Sequence, residues 1–300
     1  MRKTSFLLLS LALILALAGC SVPPPRNEPV DPGAQTAPAM EQAQSAPAEI
    51  AAPVVSAAPA ISAQPPLIPA TPKPDLSGVP LLESGFYDSF FNNSVFIGDS
   101  ITQGMQNYLI QFRQKTPLLL GNAKVIAAKS FTLVEACAPV APEGDAALRF
   151  QGRSMSLPEL LKATKAEKLF IMLGANDYGG GNLEESVAQY RVLLDFVMQN
   201  APDVAVYVQS CTPMVKGSES EARSNAQLDA FNAALFALCE EKGVHYVDVA
   251  TPMKDASNGL MPEYSSDQYM HMSEAGAQKW IDALYTYAQE SYALGQWKAE

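Results

Sequence analysis

Downstream of residue 85, short apolar runs rich in β-favouring residues alternate with longer stretches in which apolar residues recur every three or four positions. This alternation is typical of βαβ units, whose strands form a parallel sheet. The runs are apolar throughout, as expected for strands that helices cover on both faces. The predicted strands span residues 94–98, 124–127, 168–173, 204–210 and 244–249. We therefore predict an α/β domain over residues 86–300, with a five-stranded parallel sheet between two layers of helices.

Three helical stripes are clear, and their apolar positions predict the faces that pack on the sheet. They comprise Val187, Tyr190, Leu194 and Val197; Leu228, Phe231, Leu235 and Leu238; and Ala277, Trp280, Ile281, Leu284 and Ala288. A further helical stretch, residues 101–115, follows the first strand. The last six residues, GQWKAE, have no such pattern and are expected to form a frayed end.

The first 85 residues have a different composition. Residues 1–19 join two basic residues to a 12-residue apolar run, which indicates a signal peptide. The run ends in Leu-Ala-Gly-Cys, which resembles the lipobox of bacterial lipoproteins and implies lipidation of Cys20; an ordinary secretory signal is the alternative. Residues 21–85 hold 15 of the 23 prolines and predict a disordered linker. We expect an extracytoplasmic protein held to a membrane by lipid.

Charge and cysteine content narrow the possible ligands. The formal net charge is −11, and loss of Arg2 and Lys3 with the leader would make it −13, so nucleic acid is an unlikely partner. Cys137, Cys211 and Cys239 are interpreted as small buried side chains, with one disulfide plus a free thiol left open. No cysteine or histidine spacing suggests a metal site, and no cofactor motif is present.

Candidate reactive residues follow the predicted strands. Parallel strands deliver their carboxyl ends to one edge of the sheet; Ser100 comes two residues after the first strand and Asn176 follows the third. A serine nucleophile needs a neighbouring base. Of the two histidines, His245 lies inside a predicted strand and is interpreted as structural. His271 lies in a polar loop, four residues after Asp267.

The segments Gly98-Asp99-Ser100 and Gly174-Ala175-Asn176-Asp177, followed by a late loop histidine, resemble the blocks of the SGNH or GDSL hydrolases over residues 94–290. The resemblance implies a flavodoxin-like fold with Ser100 as nucleophile and His271 as its base. It further implies an oxyanion hole formed by the Ser100 N–H and the Asn176 amide. The absence of a GxSxG motif argues against the α/β-hydrolase fold.

Two features depart from the family pattern. The family separates its acid and base by three positions, whereas Asp267 and His271 are separated by four. We assign Asp267 as the acid, with a backbone carbonyl as the alternative. The family's lone oxyanion glycine has no counterpart, and we assign its backbone N–H to Ser130.

The same residues also have plausible structural roles. Ser100 could merely cap a helix, Asn176 and Asp177 could be turn residues, and Asp99 is expected to be structural. The glycines at 179–181 suggest a mobile loop beside the site. We expect a serine esterase that acts through an acyl-enzyme on ester substrates, such as small molecules or O-acetylated carbohydrate. The alternative is a non-catalytic module that binds a glycan or a protein; the sequence does not predict the oligomeric state.

Overall fold

The structure, a computed structural model, describes residues 72–82, 85–178 and 182–299. The signal peptide, Cys20, most of the linker and the glycines at 179–181 lie outside the described residues. The strands are β1 (Ser94–Gly98), β2 (Lys124–Ala127), β3 (Arg149–Phe150), β4 (Arg153–Ser154), β5 (Lys168–Met172), β6 (Ala205–Gln209) and β7 (His245–Val247). The helices are α1 (Ser100–Phe112), α2 (Leu133–Ala136), α3 (Leu157–Thr164), α4 (Leu183–Asn200), α5 (Asn225–Lys242) and α6 (Glu274–Ala293).

Five strands form one parallel sheet in the order β2-β1-β5-β6-β7. These are the five predicted strands, and their bounds agree with the prediction to within two residues. Counted in chain order, the arrangement is 2-1-3-4-5, which is the flavodoxin-like order. The predicted fold class is therefore confirmed.

A row of stacked rings crosses the sheet from β1 to β7. Phe96, Phe170, Tyr207 and His245 occupy paired register positions on four neighbouring strands, and successive ring centroids are 4.3, 4.5 and 4.4 Å apart. Near-parallel rings at this spacing contribute dispersion as well as buried area. His245 also bonds the Tyr287 hydroxyl through Nδ1 at 3.2 Å, and burial lowers its pKa. It is a structural residue, as the sequence suggested.

Helices cover both faces of the sheet. Helix α6 packs on α1, while α4 and α5 pack on each other. Each predicted stripe faces the interior: Tyr190, Leu194 and Val197 of α4 are buried, as are all the predicted positions of α5 and α6. Val187 is partly buried. None of the helices in the described residues is both long and apolar enough to span a membrane.

Several short elements and one terminus differ from the expectation. Helices α2 and α3 and the β3–β4 hairpin were not predicted, because elements of two to eight residues are too short to show a period. The terminal segment is not frayed throughout, since Trp297 packs against Phe86 and Phe90, with ring centroids 5.8 and 5.3 Å away.

Residues before the predicted start of the domain also contact it. The Pro80 carbonyl accepts hydrogen bonds from the Tyr87 hydroxyl at 2.8 Å and from Gln289 Nε2 at 3.0 Å. Cys211 and Cys239 are buried and Cys137 is partly buried; all three are free thiols.

Candidate active site

The candidate residues gather at the carboxyl ends of β1 and β5. These neighbouring strands lie where the strand order of the sheet reverses, which is where open α/β sheets form their ligand sites. Ser100 follows β1 and Asn176 follows β5. The order of the strands thus places the two sequence motifs side by side.

The turn from β1 into α1 is tight because Gly98 has no side chain. A Cβ there would meet Thr102 Oγ1 at 2.0 Å and the Met172 carbonyl at 2.7 Å. Asp99, with extended backbone angles, caps the helix by accepting from the Ile101 N–H at 2.9 Å. Ser100 is the first helical residue and not the cap, so its hydroxyl is not used for capping.

Ser100, His271 and Asp267 form one hydrogen-bonded chain. Ser100 Oγ lies 3.0 Å from His271 Nε2, and His271 Nδ1 lies 2.5 Å from Asp267 Oδ2. The side chains of His271 and Asp267 are 43% and 36% exposed, so the chain borders solvent. A serine is thereby joined through an imidazole to a carboxylate, the arrangement that activates a hydroxyl for attack.

The loop that carries Asp267 and His271 accommodates their four-residue separation. Gln268 has a φ of 58°, which turns the chain back towards the carboxylate. Asp267 Oδ1 accepts the backbone N–H groups of Tyr269, Met270 and His271 at 2.9, 3.1 and 3.3 Å. Oδ2 is therefore left to bond the imidazole.

The carboxylate of Asp267 is held in its ionised form. Partial burial raises its pKa, but the hydrogen bonds from the His271 side chain, the Tyr269 N–H and the Ser265 hydroxyl outweigh burial and lower the pKa to about 2. Ser265 donates to Oδ1 at 3.0 Å and accepts from the Tyr269 N–H at 3.1 Å. Ser265 was not predicted from the sequence, although a serine two residues before an aspartate is typical of a turn.

Asn176 lies beside Ser100 on a turn that also requires glycine. Gly174 has a φ of 112°, and a Cβ there would meet the Phe231 ring at 2.4 Å. Asn176 Nδ2 donates to Asp99 Oδ2 at 3.2 Å and to the Phe131 carbonyl at 3.3 Å. Both hydrogen bonds are long. They fix the orientation of the amide, and its N–H groups would have to exchange one of these acceptors to bind a substrate oxygen.

Ser130 lies in the loop after β2, and its neighbour Phe131 contacts Asn176. Its φ of 53° is the left-handed conformation that favours glycine, which agrees with its assignment in place of the family's glycine. The backbone N–H groups of Ser100 and Ser130 have no acceptor among the described residues. Two main-chain donors are thus available at this edge of the sheet.

Asp177 and Asp99 stabilise the two turns that carry Asn176 and Ser100. Asp177 Oδ1 accepts the Leu133 N–H at 3.0 Å and so ties the turn after β5 to α2, a role the sequence analysis did not assign. Asp99 is 2% exposed. Burial raises its pKa to about 6, against the opposing effects of the Ile101 N–H and His271. The Asp of each motif therefore holds the backbone of the site in place, Asp99 through the Ile101 N–H and Asp177 through the Leu133 N–H.

The space on the buried side of the site is small. A largely apolar crevice is lined by Asp99, Ile101, Met172, Leu173, Ala175 and Cys211. It is too narrow to admit a water molecule. The described residues contain no cluster of three or more side chains that could hold a metal ion.

The fold and the hydrogen-bonded serine define a flavodoxin-like α/β protein with a serine hydrolase arrangement at its switch point. The chain matches the GDSL-like lipase/acylhydrolase family over residues 96–279, more than half of its length. It belongs to this family, whose name describes hydrolases that act on esters. No curated protein sequence matches it significantly.

Solved structures with a similar fold share little sequence. A Streptococcus pneumoniae protein described as a platelet activating factor is 20% identical, with 69% of this chain and 90% of that chain covered and a TM-score of 0.49. A GDSL-like lipase from Bacteroides thetaiotaomicron is 16% identical, with 66% and 88% covered and a TM-score of 0.47. A carbohydrate esterase family 3 structure from Talaromyces cellulolyticus is 16% identical, with 65% and 95% covered and a TM-score of 0.45. Likenesses at this level concern the fold alone.

Proposed function

We propose that this protein is an extracytoplasmic, membrane-anchored serine esterase that hydrolyses its substrate through an acyl-enzyme. The observation that carries the proposal is the continuous hydrogen-bonded chain from Asp267 through His271 to Ser100. Family membership supports the class of reaction, ester hydrolysis. The contacts among Asp267, His271 and Ser100 support their assignment as the catalytic residues.

In the proposed reaction His271 Nε2 takes the hydroxyl proton of Ser100 as Oγ attacks the ester carbonyl carbon. The ionised Asp267 stabilises the imidazolium that results and keeps Nδ1 protonated. His271 then gives its proton to the departing alcohol oxygen. Water, deprotonated by the same imidazole, releases the acid from Ser100 and restores the hydroxyl.

The negative charge on the carbonyl oxygen needs donors that are already in position. The unbonded N–H groups of Ser100 and Ser130 fill this role. Asn176 adds a third donor if its amide exchanges one of its long internal bonds for the oxyanion. Losing one such donor typically raises the barrier by about 3 kcal/mol.

The test is hydrolysis of p-nitrophenyl acetate by the full-length protein in detergent. We expect Ser100→Ala to lower the turnover number by at least about 1,000-fold, because the nucleophile is lost. Ser257→Ala, at an exposed position, is the control and should match the wild type. A fluorophosphonate probe should label the wild type and not Ser100→Ala. Hydrolysis that persists in Ser100→Ala would disprove the assignment.

Acyl-chain preference is a second prediction of the same site. The crevice bordering Asp99 and Ala175 has no room even for a water molecule, so it offers no buried channel for a long acyl chain. We therefore expect a higher kcat/KM for p-nitrophenyl acetate than for p-nitrophenyl octanoate. Preference for octanoate would show that a longer chain binds elsewhere along the rim. O-Acetylated carbohydrate of the cell envelope or the extracellular space is the substrate class that best suits this preference and the proposed location.

The proposed location rests on residues 1–85, which combine a signal-like leader, a lipobox-like cysteine and a proline-rich spacer. A diacylglycerol joined to the Cys20 sulfur by a thioether would supply two acyl chains, which give stable anchoring where a single chain would be marginal. We expect Cys20→Ser to move the protein from the membrane fraction to the soluble fraction of the producing bacterium. Continued sedimentation with membranes would contradict the lipoprotein assignment.

The alternative of a non-catalytic binding module depended chiefly on the unusual separation of Asp267 and His271. The direct contact between them at 2.5 Å weakens that argument. No other contact at the site favours binding without hydrolysis over the esterase.

A further inference from the structure

A partly buried arginine is attached to the loop that carries His271. Arg223 closes a tight turn with Ser220, whose N–H donates to the Arg223 carbonyl at 2.8 Å. Its guanidinium Nη1 lies 3.3 Å from the Tyr269 hydroxyl and 3.8 Å from Met270 Sδ. Both partners immediately precede His271, so the guanidinium contacts the loop that carries the proposed catalytic base.

The charge of Arg223 is not neutralised within the described part of the chain. No carboxylate there lies within ion-pair distance of it, whereas Arg191 pairs with Glu241 and Lys216 with Glu219. Its two protein partners are an uncharged hydroxyl and a thioether. A guanidinium has five N–H donors, and among the described residues only those on Nη1 have partners. The planar guanidinium is well suited to bind a carboxylate or a phosphate, so an anionic ligand is a candidate for the missing partner.

The field of Arg223 reaches the floor of the site. Burial raises the pKa of the Cys211 thiol, and the positive charge of Arg223 opposes that rise. Cys211 lines the same small crevice as Asp99 and Ala175. Arg223 therefore acts electrostatically on a residue of this crevice, in addition to contacting the loop that carries His271.

The geometry points to a role for Arg223 in binding an anionic group, in the simplest case a carboxylate, on the alcohol portion of the ester substrate. This inference rests on the proposed esterase function. The proposed mechanism indicates which part of the substrate is involved. The carbonyl oxygen faces the donors of Ser100 and Ser130, whereas the departing alcohol faces His271, and Arg223 contacts the two residues that precede His271. A planar guanidinium can bind a carboxylate through two parallel hydrogen bonds. The net charge of −11 repels anions in general, so the attraction of an anionic substrate depends on the local charge of Arg223.

The test compares two acetyl esters that differ only in charge, 3-acetoxybenzoate and 3-acetoxybenzamide, using the full-length protein. Arg223→Gln removes the charge and keeps much of the side chain. We expect kcat/KM for the benzoate to fall at least about tenfold, because a hydrogen bond to a charged group is lost. The value for the neutral benzamide should change less than twofold.

Arg191→Gln is the matched control, because it removes the same charge from an exposed pair with Glu241 on the α4 and α5 helices. It should leave the ratio of the two substrates unchanged. An equal loss on both substrates in Arg223→Gln would show that the arginine only supports the His271 loop, and no loss on either would also overturn the inference. A selective loss on mono-p-nitrophenyl succinate, with the benzoate unaffected, would place the anion on the acyl side and refute the proposed position.

A binding measurement separates failure of this inference from failure of the esterase proposal. If the wild type hydrolyses neither ester, the esterase proposal fails. The affinities of 3-hydroxybenzoate and 3-hydroxybenzamide, measured by NMR titration of wild type and Arg223→Gln, then still decide the matter. Weaker binding of the benzoate alone in the variant supports the anion site, and equal affinities in the two proteins overturn it.

Discussion

Asp99 combines three interactions in one buried carboxyl group. It caps α1 through the Ile101 N–H, orients the Asn176 amide and lies near His271. Its ionised form is therefore useful to the site but costly to bury. A folded-state pKa of about 6, against an ordinary value of 3.8, corresponds to a cost of about 3 kcal/mol once the group is fully ionised.

This cost predicts a specific dependence of stability on pH. Because the folded state binds the Asp99 proton more tightly, the contribution of Asp99 is most favourable below pH 4 and is lost as the pH rises through 6. The variant Asp99→Asn does not titrate. We expect its free energy of unfolding, relative to wild type, to increase by up to about 3 kcal/mol between pH 4 and pH 7.

Urea denaturation at both pH values measures this difference, with the exposed Asp145→Asn as control. The same Asp99→Asn variant should lose esterase activity, since an amide at position 99 presents a donor to the Asn176 amide. Parallel stability curves for wild type and Asp99→Asn would contradict the argument.

At the residue scale, the sequence predicted which side chains meet but not how they are supported. Ser100, His271 and Asp267 could be inferred from motif order and from the scarcity of histidines. Ser265 and Arg223 could not, because their contacts depend on the shape of the loop around Gln268 and on a turn more than 40 residues away.

At the scale of elements, the two glycines of the motifs determine how closely strands and helices approach. Gly174 lets the turn after β5 lie against the Phe231 ring of α5. We predict that Gly174→Ala lowers the free energy of unfolding by about 3 kcal/mol, through a strained φ and overpacking together. Activity should fall as well, because Asn176 lies two residues further on.

Gly217→Ala is the matched control for this prediction. Gly217 also has a positive φ, 91°, but a Cβ there meets nothing within 4 Å. Its replacement should cost only the backbone strain, about 1 kcal/mol. Equal midpoints of chemical denaturation for the two variants would show that contact with Phe231 is unimportant.

Long elements with a clear period were predictable, whereas short ones were not. The strands were predictable because both of their faces are buried, and α4, α5 and α6 were predictable because one face of each is buried. Helix α2 has four residues and depends on a capping box between Thr132 and Glu135. The same kind of box, Ser156 with Glu159, begins α3. These capping boxes can be found in the sequence. They predict a helix only when the fold also provides a neighbouring strand on which the helix can pack.

At the scale of the whole molecule, the start and the end of the domain pack together. Trp297 contacts the rings of Phe86, Tyr87, Phe90 and Tyr292. We expect Trp297→Ala to lower the free energy of unfolding by about 2 kcal/mol, less than for a fully buried tryptophan, and to leave hydrolysis of p-nitrophenyl acetate at 25 °C unchanged. Leu294→Ala, at a position 57% exposed, should cost much less. A loss of activity in Trp297→Ala with stability intact would contradict this view of the cluster.

Pro80 and Asn93, which precede the first strand, are held by contacts at one edge of the domain. Asn93, just before β1, bonds Asn122 and Glu167, which precede β2 and β5, and Pro80 is held by Gln289 near the end of α6. These contacts lie at the amino ends of the strands, across the sheet from Ser100. A pull on the chain from its amino-terminal side would therefore load the contacts of Pro80 first, and would turn the domain so that its reactive edge points away from the source of the force.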